Sequence, residues 1–152
     1  MVNIDKIKES DIGDILNLLA PYVKKGIVLE RSREDIMAEL GAFFIARDNE
    51  KAAGVVSYHD YDNNLFEIRS LVVAEEYARS GIGSALVNHV VTLLRERQPQ
   101  SRIFALTYVP EFFSKLNFEL IDKNYFPEKI WKDCVNCPRV DCCNEIALIN
   151  RG

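Results

Sequence analysis

The chain has 152 residues, 48% hydrophobic and 28% charged with only 7 Gly and 5 Pro, which excludes a disordered or low-complexity chain and predicts one folded domain over residues 1–152. Lys and Arg number 19 against 23 Asp and Glu, a net charge of −4, which disfavours nonspecific binding of nucleic acid by phosphate neutralisation and favours a small-molecule or protein partner. No apolar run approaches the roughly 18 residues that span a bilayer, and the opening stretch MVNIDKIKESD lacks the apolar core of a signal peptide, so a cytoplasmic protein with no membrane partner is expected.

Val2 to Lys8 reads as a first strand. Ser10 and Asp11 then offer capping oxygens to a helix whose apolar positions Ile12, Ile15, Leu16, Leu19 and Val23 follow the i, i+3, i+4 rule, so one face packs on a sheet. After the break at Lys24-Lys25-Gly26, Ser32-Arg33-Glu34-Asp35 has the form of a capping box. It opens a short helix with Ile36, Met37 and Leu40 inward, and Gly41 is placed to end it. Three strand-like runs follow, Ala42 to Arg47, Ala52 to Tyr61 and Leu65 to Val73. Asp48-Asn49-Glu50 and Asp62-Asn63-Asn64 separate them, turn formers between β-branched and aromatic runs, which predicts a meander.

Gly81 to Arg97 carries Ile82, Ala85, Leu86, Val90, Leu93 and Leu94 at helical spacing, and Pro99 interrupts the pattern. Arg102 to Thr107 is a nearly continuous apolar strand of the kind buried on both faces. Pro110 sits where a first helical turn tolerates it, opening Glu111 to Leu116, and Phe118 to Ile121 and Glu145 to Ile149 read as final strands. The order β-α-α-β-β-β-α-β-α-β-β is an α+β pattern, with no internal repeat and no linker.

Cys134, Cys137, Cys142 and Cys143 crowd the segment before the last strand. Four thiols are too few for a disulfide scaffold, and in a reducing compartment such a cluster points to metal or reactivity. The C-x-x-C spacing lets Cys134 and Cys137 reach one ion, and Cys142 follows a short turn containing Pro138. Neighbouring side chains in an extended segment point apart, so adjacent Cys142 and Cys143 are not expected to ligate the same ion. Three ligands without a defined fourth fall short of a closed tetrahedral site, so zinc stands as one candidate beside packed free thiols and a Cys134–Cys137 disulfide.

The strongest signal is Leu71-Val72-Val73 running through a small-residue turn into Arg79-Ser80-Gly81-Ile82-Gly83-Ser84 and a long helix. The first amides of a helix have no intrahelical partner and converge on one point, which suits an anion such as a pyrophosphate. Gly81 and Gly83 let the main chain approach it with no Cβ in the way. An ordinary tight strand-to-helix turn would carry the same glycines. A dinucleotide fingerprint is excluded because residue 86 is Leu, and a Walker loop because no Gly-Lys-Ser/Thr follows.

The glycine pattern resembles the Gln/Arg-x-x-Gly-x-Gly/Ala loop of the GNAT superfamily of acyl-CoA-dependent N-acyltransferases, with Ala78 at its first position and Arg79 one residue later. The likeness extends through Leu29-Glu30-Arg31-Ser32-Arg33-Glu34, Glu67-Ile68-Arg69-Ser70-Leu71-Val72-Val73, Phe104-Ala105-Leu106-Thr107, Phe112-Phe113-Ser114-Lys115-Leu116-Asn117-Phe118 and the ending Pro127-Glu128-Lys129-Ile130-Trp131-Lys132-Asp133-Cys134 with its later cysteines. Together these resemble single-domain amino-acid N-acetyltransferases related to N-acetylglutamate synthase. The resemblance implies a mixed, mostly antiparallel central sheet flanked by helices, and acetyl-CoA as cosubstrate. It places the coenzyme on the backbone of Leu71, Val72 and Val73 and on the loop from Arg79 to Ser84.

The same resemblance implies Glu67 as the carboxylate that takes the amine proton, directly or through a water. The alternative is a solvated strand residue or an ion-pair partner of Arg69, with which Glu67 shares a strand face. The family's acid tyrosine is replaced by Phe113, and Tyr108 is the nearest candidate in sequence, with a packing role as its alternative. Arg is suited to bidentate recognition of an acceptor carboxylate, and the resemblance favours Arg31, with Arg69 next; a plain surface charge is the alternative for each. His59 is a further base candidate with a structural alternative. Glutamate-specific relatives place Arg and Ser where this chain has Asp141-Cys142-Cys143-Asn144, so the acceptor is expected to be a small amino acid or related amine, glutamate among them. Two other readings stay open: an acetyl-CoA sensor without turnover, and a metal or redox module built on the cysteines. Pairing of the chain as a homodimer is also left open.

Overall fold

In a computed structural model, the structure describes residues 2–26, 30–62, 64–107, 109–121 and 146–150. The elements are β1 (Val2–Lys6), α1 (Ile12–Lys24), α2 (Arg33–Ala38), β2 (Phe43–Asp48), β3 (Lys51–Asp60), β4 (Leu65–Val73), α3 (Ile82–Arg97), β5 (Arg102–Thr107), α4 (Pro110–Ser114), β6 (Phe118–Leu120) and β7 (Ile146–Asn150). This is the predicted order, with β4 and β5 at the predicted bounds. Among the described residues the strands form one sheet in the order β1-β2-β3-β4-β5-β7-β6, and the fold is α+β as expected. The chain divides into two compact units, Met1–His59 with Ile68–Pro99, and Asp60–Glu67 with Gln100–Gly152.

In the first unit β1 pairs antiparallel with β2, from Val2 opposite Asp48 to Lys6 opposite Phe44. β2 pairs antiparallel with β3, with a register shift at Ala46/Arg47. Asn49 takes the left-handed conformation that a tight hairpin between them requires, at φ 59°. Ile12, Ile15 and Leu19 of α1 join Ile7, Ile36, Phe43, Ile45, Val55 and Val72 in one buried cluster, the amphipathic packing that the spacing predicts. Ile82, Leu86, Val87, Val90 and Leu94 form the buried face of α3. Gly54 permits that contact: a Cβ there would lie 3.0 Å from the Val72 carbonyl and 3.1 Å from Leu86.

In the second unit β7 lies between β5 and β6, antiparallel to both, with Ile103 and Phe118 each opposite Asn150. Tyr61, Leu65, Phe104, Ala147 and Ile149 make its core. Asp62 and Asn64 adopt positive φ at the turn before β4, and Asn64 accepts from the Arg102 amide. Phe113 packs edge-on against Phe118 at 5.2 Å and Phe112 at 5.0 Å.

Four local expectations change. Asp11 does not cap α1 with its side chain; its carboxylate turns back to the Lys8 amide at 2.8 Å and takes Arg47 at 2.6 Å, because a charged donor outcompetes a helix amide. Met37 is exposed, since α2 is too short to bury more than the Ile36 side. Gly41 does not end α2, which stops at Ala38; it sits in a following 3-10 turn, Leu40–Ala42. Ala85 faces outward and Val87 takes the buried position.

Candidate active site

β4 delivers the chain to the glycine turn. Its end is held from two sides: the Ala74 amide donates to Ala53 at 2.8 Å, and the Tyr22 hydroxyl of α1 donates to the Val73 carbonyl at 3.1 Å. Val72 is buried in the core, so any contact with a ligand falls to its backbone, whereas Leu71 and Val73 are half-buried. Ser70 breaks regular strand geometry with φ 50°, and beside it the Ser57 hydroxyl donates to the Arg69 carbonyl at 3.2 Å.

A 3-10 turn, Glu75–Tyr77, follows and is pinned to the β2–β3 hairpin. Tyr77 donates to Asp48 at 3.0 Å, and Glu76 pairs with Lys51. The Tyr77 hydroxyl holds the Asp48 carboxyl below its ordinary range, and the same bond raises the phenol of Tyr77. The chain then turns through two left-handed residues, Arg79 at φ 65° and Gly81 at φ 87°. Ser80 closes the turn, its amide and hydroxyl both reaching the Tyr77 carbonyl.

The first α3 bond runs from the Ala85 amide to Gly81 at 3.0 Å. By helix geometry the amides of Ile82, Gly83 and Ser84 precede any intrahelical acceptor and point out of the helix start. Arg79, Ser80 and Gly81 are exposed, and a Cβ placed on Gly81 would meet nothing within 4 Å. A left-handed glycine at an open helix N-terminus is a cradle for an anionic group.

Glu67 lies four residues before Leu71 on the same strand and is 5% exposed, which excludes the solvated-strand alternative. The Tyr61 hydroxyl donates to its Oε1 at 2.8 Å. Arg31 is half-buried beside the α2 cap, where Ser32 accepts from the Asp35 amide at 3.1 Å. Arg69 is half-buried on β4. His59 places Nδ1 at 3.3 Å from a Glu39 carboxylate oxygen. Phe113 is a core residue. Tyr108 and the four cysteines lie outside the described residues. Among the described residues no group of three or more His, Cys, Asp or Glu is placed to hold a metal ion. Sequence reasoning missed the hydrogen bonds of Tyr22 to the end of β4 and of Tyr61 to Glu67. The available signal is that a tyrosine in a buried pattern must bring its hydroxyl to an acceptor.

The model of the acetyltransferase (GNAT) family matches residues 12–118, which include α1, the meander, the glycine turn and α3. The chain belongs to that family. Among relatives of this acetyltransferase, an uncharacterised N-acetyltransferase of Chlorobaculum tepidum is 38% identical over 92% of this chain and 90% of its own length. An amino-acid acetyltransferase of Shewanella oneidensis is 33% identical over 79% of this chain, but the match spans only 27% of that longer protein. Among solved structures, N-acetylglutamate synthase from Neisseria gonorrhoeae, complexed with coenzyme A and N-acetyl-glutamate, superposes with a TM-score of 0.88 at 27% identity, covering 99% of this chain and 35% of that one. No helix among the described residues is long and apolar enough to cross a membrane.

Proposed function

We propose that this acetyltransferase moves the acetyl group of acetyl-CoA to the amine of a small amino acid or related metabolite, by direct attack and in the cytoplasm. The observation that carries the reading is the open turn into α3, where the Ile82, Gly83 and Ser84 amides and the left-handed Gly81 suit a pyrophosphate. Arg79 and Ser80 flank it, and the backbone of Leu71, Val72 and Val73 lines the path of the pantetheine arm. The printed ligands of the gonococcal synthase, coenzyme A and an acetylated amino acid, support the substrate class.

In this reading Glu67 takes a proton from the ammonium of the acceptor. The neutral amine attacks the thioester carbonyl, the nitrogen of the tetrahedral adduct loses its second proton to solvent, and collapse of the adduct breaks the C–S bond, leaving the amide and releasing the thiolate of coenzyme A. Tyr108 is proposed as the proton donor to that thiolate, since Phe113 has no proton to give. Arg31, with Arg69, holds the acceptor carboxylate.

The test is a panel of the common amino acids with acetyl-CoA, read by thiol release and by mass spectrometry of the product. Thiol release with one amino acid or a narrow group, and an N-acetylated product, is expected. Tight acetyl-CoA binding with no thiol release across the panel and related amines would replace this reading with the sensor one.

A further inference from the structure

We infer that Tyr61 is the positioning residue for Glu67, holding its carboxylate in the one orientation from which it takes the amine proton. The inference rests on the proposed role of Glu67. Tyr61 is 1% exposed, and its ring stacks on Phe104 with centroids 6.1 Å apart and planes at 30°. Leu65, Ala147 and Ile149 close the cluster around it. A phenylalanine ring would fill this space as well, so packing does not call for the hydroxyl. The hydroxyl is directed at Glu67 Oε1, 2.8 Å away.

The main chain sets this geometry before the side chains act. The Tyr61 amide donates to the Leu65 carbonyl at 2.9 Å and the Leu65 amide to the Asp62 carbonyl at 3.1 Å, so the turn fixes Tyr61 against the start of β4, two residues before Glu67. A glutamate carboxyl turns about a broad terminal torsion. A phenol whose ring is locked by the core removes that freedom at Oε1, and the plane of the carboxylate fixes Oε2 with it. Burying a carboxylate also calls for a donor, which the same hydroxyl supplies. Reach matters because a base acts only within about 2.6–3.2 Å of its proton, and a misplacement of roughly 1 Å costs about a hundredfold in rate.

The experiment compares steady-state kinetics of Tyr61→Phe, Glu67→Gln, the double variant and Ile149→Val, with a thermal melt of each. Tyr61→Phe is expected to lose about tenfold in kcat with the KM for acetyl-CoA unchanged, the effect of one hydrogen bond to a charged group. In the Glu67→Gln background the same change should cost nothing further. Ile149→Val, which thins the same core without touching the hydroxyl, should lower Tm and leave kcat alone. Site-specific replacement of Tyr61 by a ring-fluorinated tyrosine serves as the second variant should Tyr61→Phe not fold; kcat should move with the hydroxyl's acidity. Wild-type kcat in folded Tyr61→Phe beside an impaired Glu67→Gln would overturn the inference and leave the role of Glu67 standing, and so would additive losses in the double variant. Wild-type kcat in Glu67→Gln would remove the role of Glu67 and the inference with it.

Discussion

Arg31 sits beside a piece of local structure that is legible in the sequence. It precedes Ser32, whose box with Asp35 forms as predicted: the Asp35 amide reaches Ser32 Oγ at 3.1 Å and the Ser32 amide returns to Asp35 at 2.9 Å. The backbone and hydroxyl of Ser32 hold the Asp35 carboxyl below its ordinary range, with Arg31 adding its charge. The chain beside Arg31 is thereby fixed, as the proposed recognition of an acceptor carboxylate requires. Replacing Arg31 with Ala should raise the KM of the amino-acid acceptor by about 10–100-fold, the worth of a charge-assisted hydrogen bond, while the KM of acetyl-CoA stays put. An equal rise in both would indicate a damaged fold. Glu67 was legible as a carboxylate on the strand leading to the glycine turn. Its burial and its bond to Tyr61 were not, because both depend on which strand face the core covers.

Elements were read best where local chemistry leaves one choice. β4 and β5 are bounded by turn formers and by Pro110, and α3 begins where Gly81 supplies a conformation that side chains disfavour. The misreadings at Asp11, Met37, Gly41 and Ala85 share a cause: capping oxygens and helix faces can serve several partners, and the partner that wins comes from elsewhere in the fold. The turn into α3 carries its own test. Gly81→Val forces a β-branched residue to φ 87°, which costs about 1–3 kcal/mol of stability, and pushes methyl groups into the open space over the helix start. Titration calorimetry on the folded variant should show acetyl-CoA affinity strongly reduced. Wild-type affinity would remove the turn from the coenzyme site.

At the scale of the molecule, long-range ties decide stability, and one of them predicts a pH response. Arg47 of β2 reaches Asp11 at 2.6 Å and Asp14 at 2.8 Å, joining the strand to the start of α1, and donates to the Glu50 carbonyl at 2.8 Å. Burial pushes the Asp11 carboxyl up, but the Lys8 amide and Arg47 outweigh it and leave it below its ordinary value. A carboxyl lowered by folding stabilises the protein above its unfolded pKa of about 3.9, and that contribution is lost as pH falls through the folded value. Arg47→Met should therefore cost about 1 kcal/mol in urea unfolding at neutral pH, and the gap to wild type should narrow below about pH 4 as Asp11 protonates. A gap that stays constant down to acid pH would assign the loss to packing of the Arg47 stem.

The order of elements, the meander, the buried strand β5 and the glycine turn were determined by sequence alone, because each rests on interactions within a few residues: periodicity, turn formers and the conformational freedom of glycine. Tertiary structure alone decided that β7 inserts between β5 and β6, that Gly54 lets α3 approach β3, that Tyr22 holds the end of β4 and that Tyr61 faces Glu67. These depend on contacts between residues distant in sequence or on which strand face is covered, and an apolar pattern states only that a face is buried, without naming what buries it.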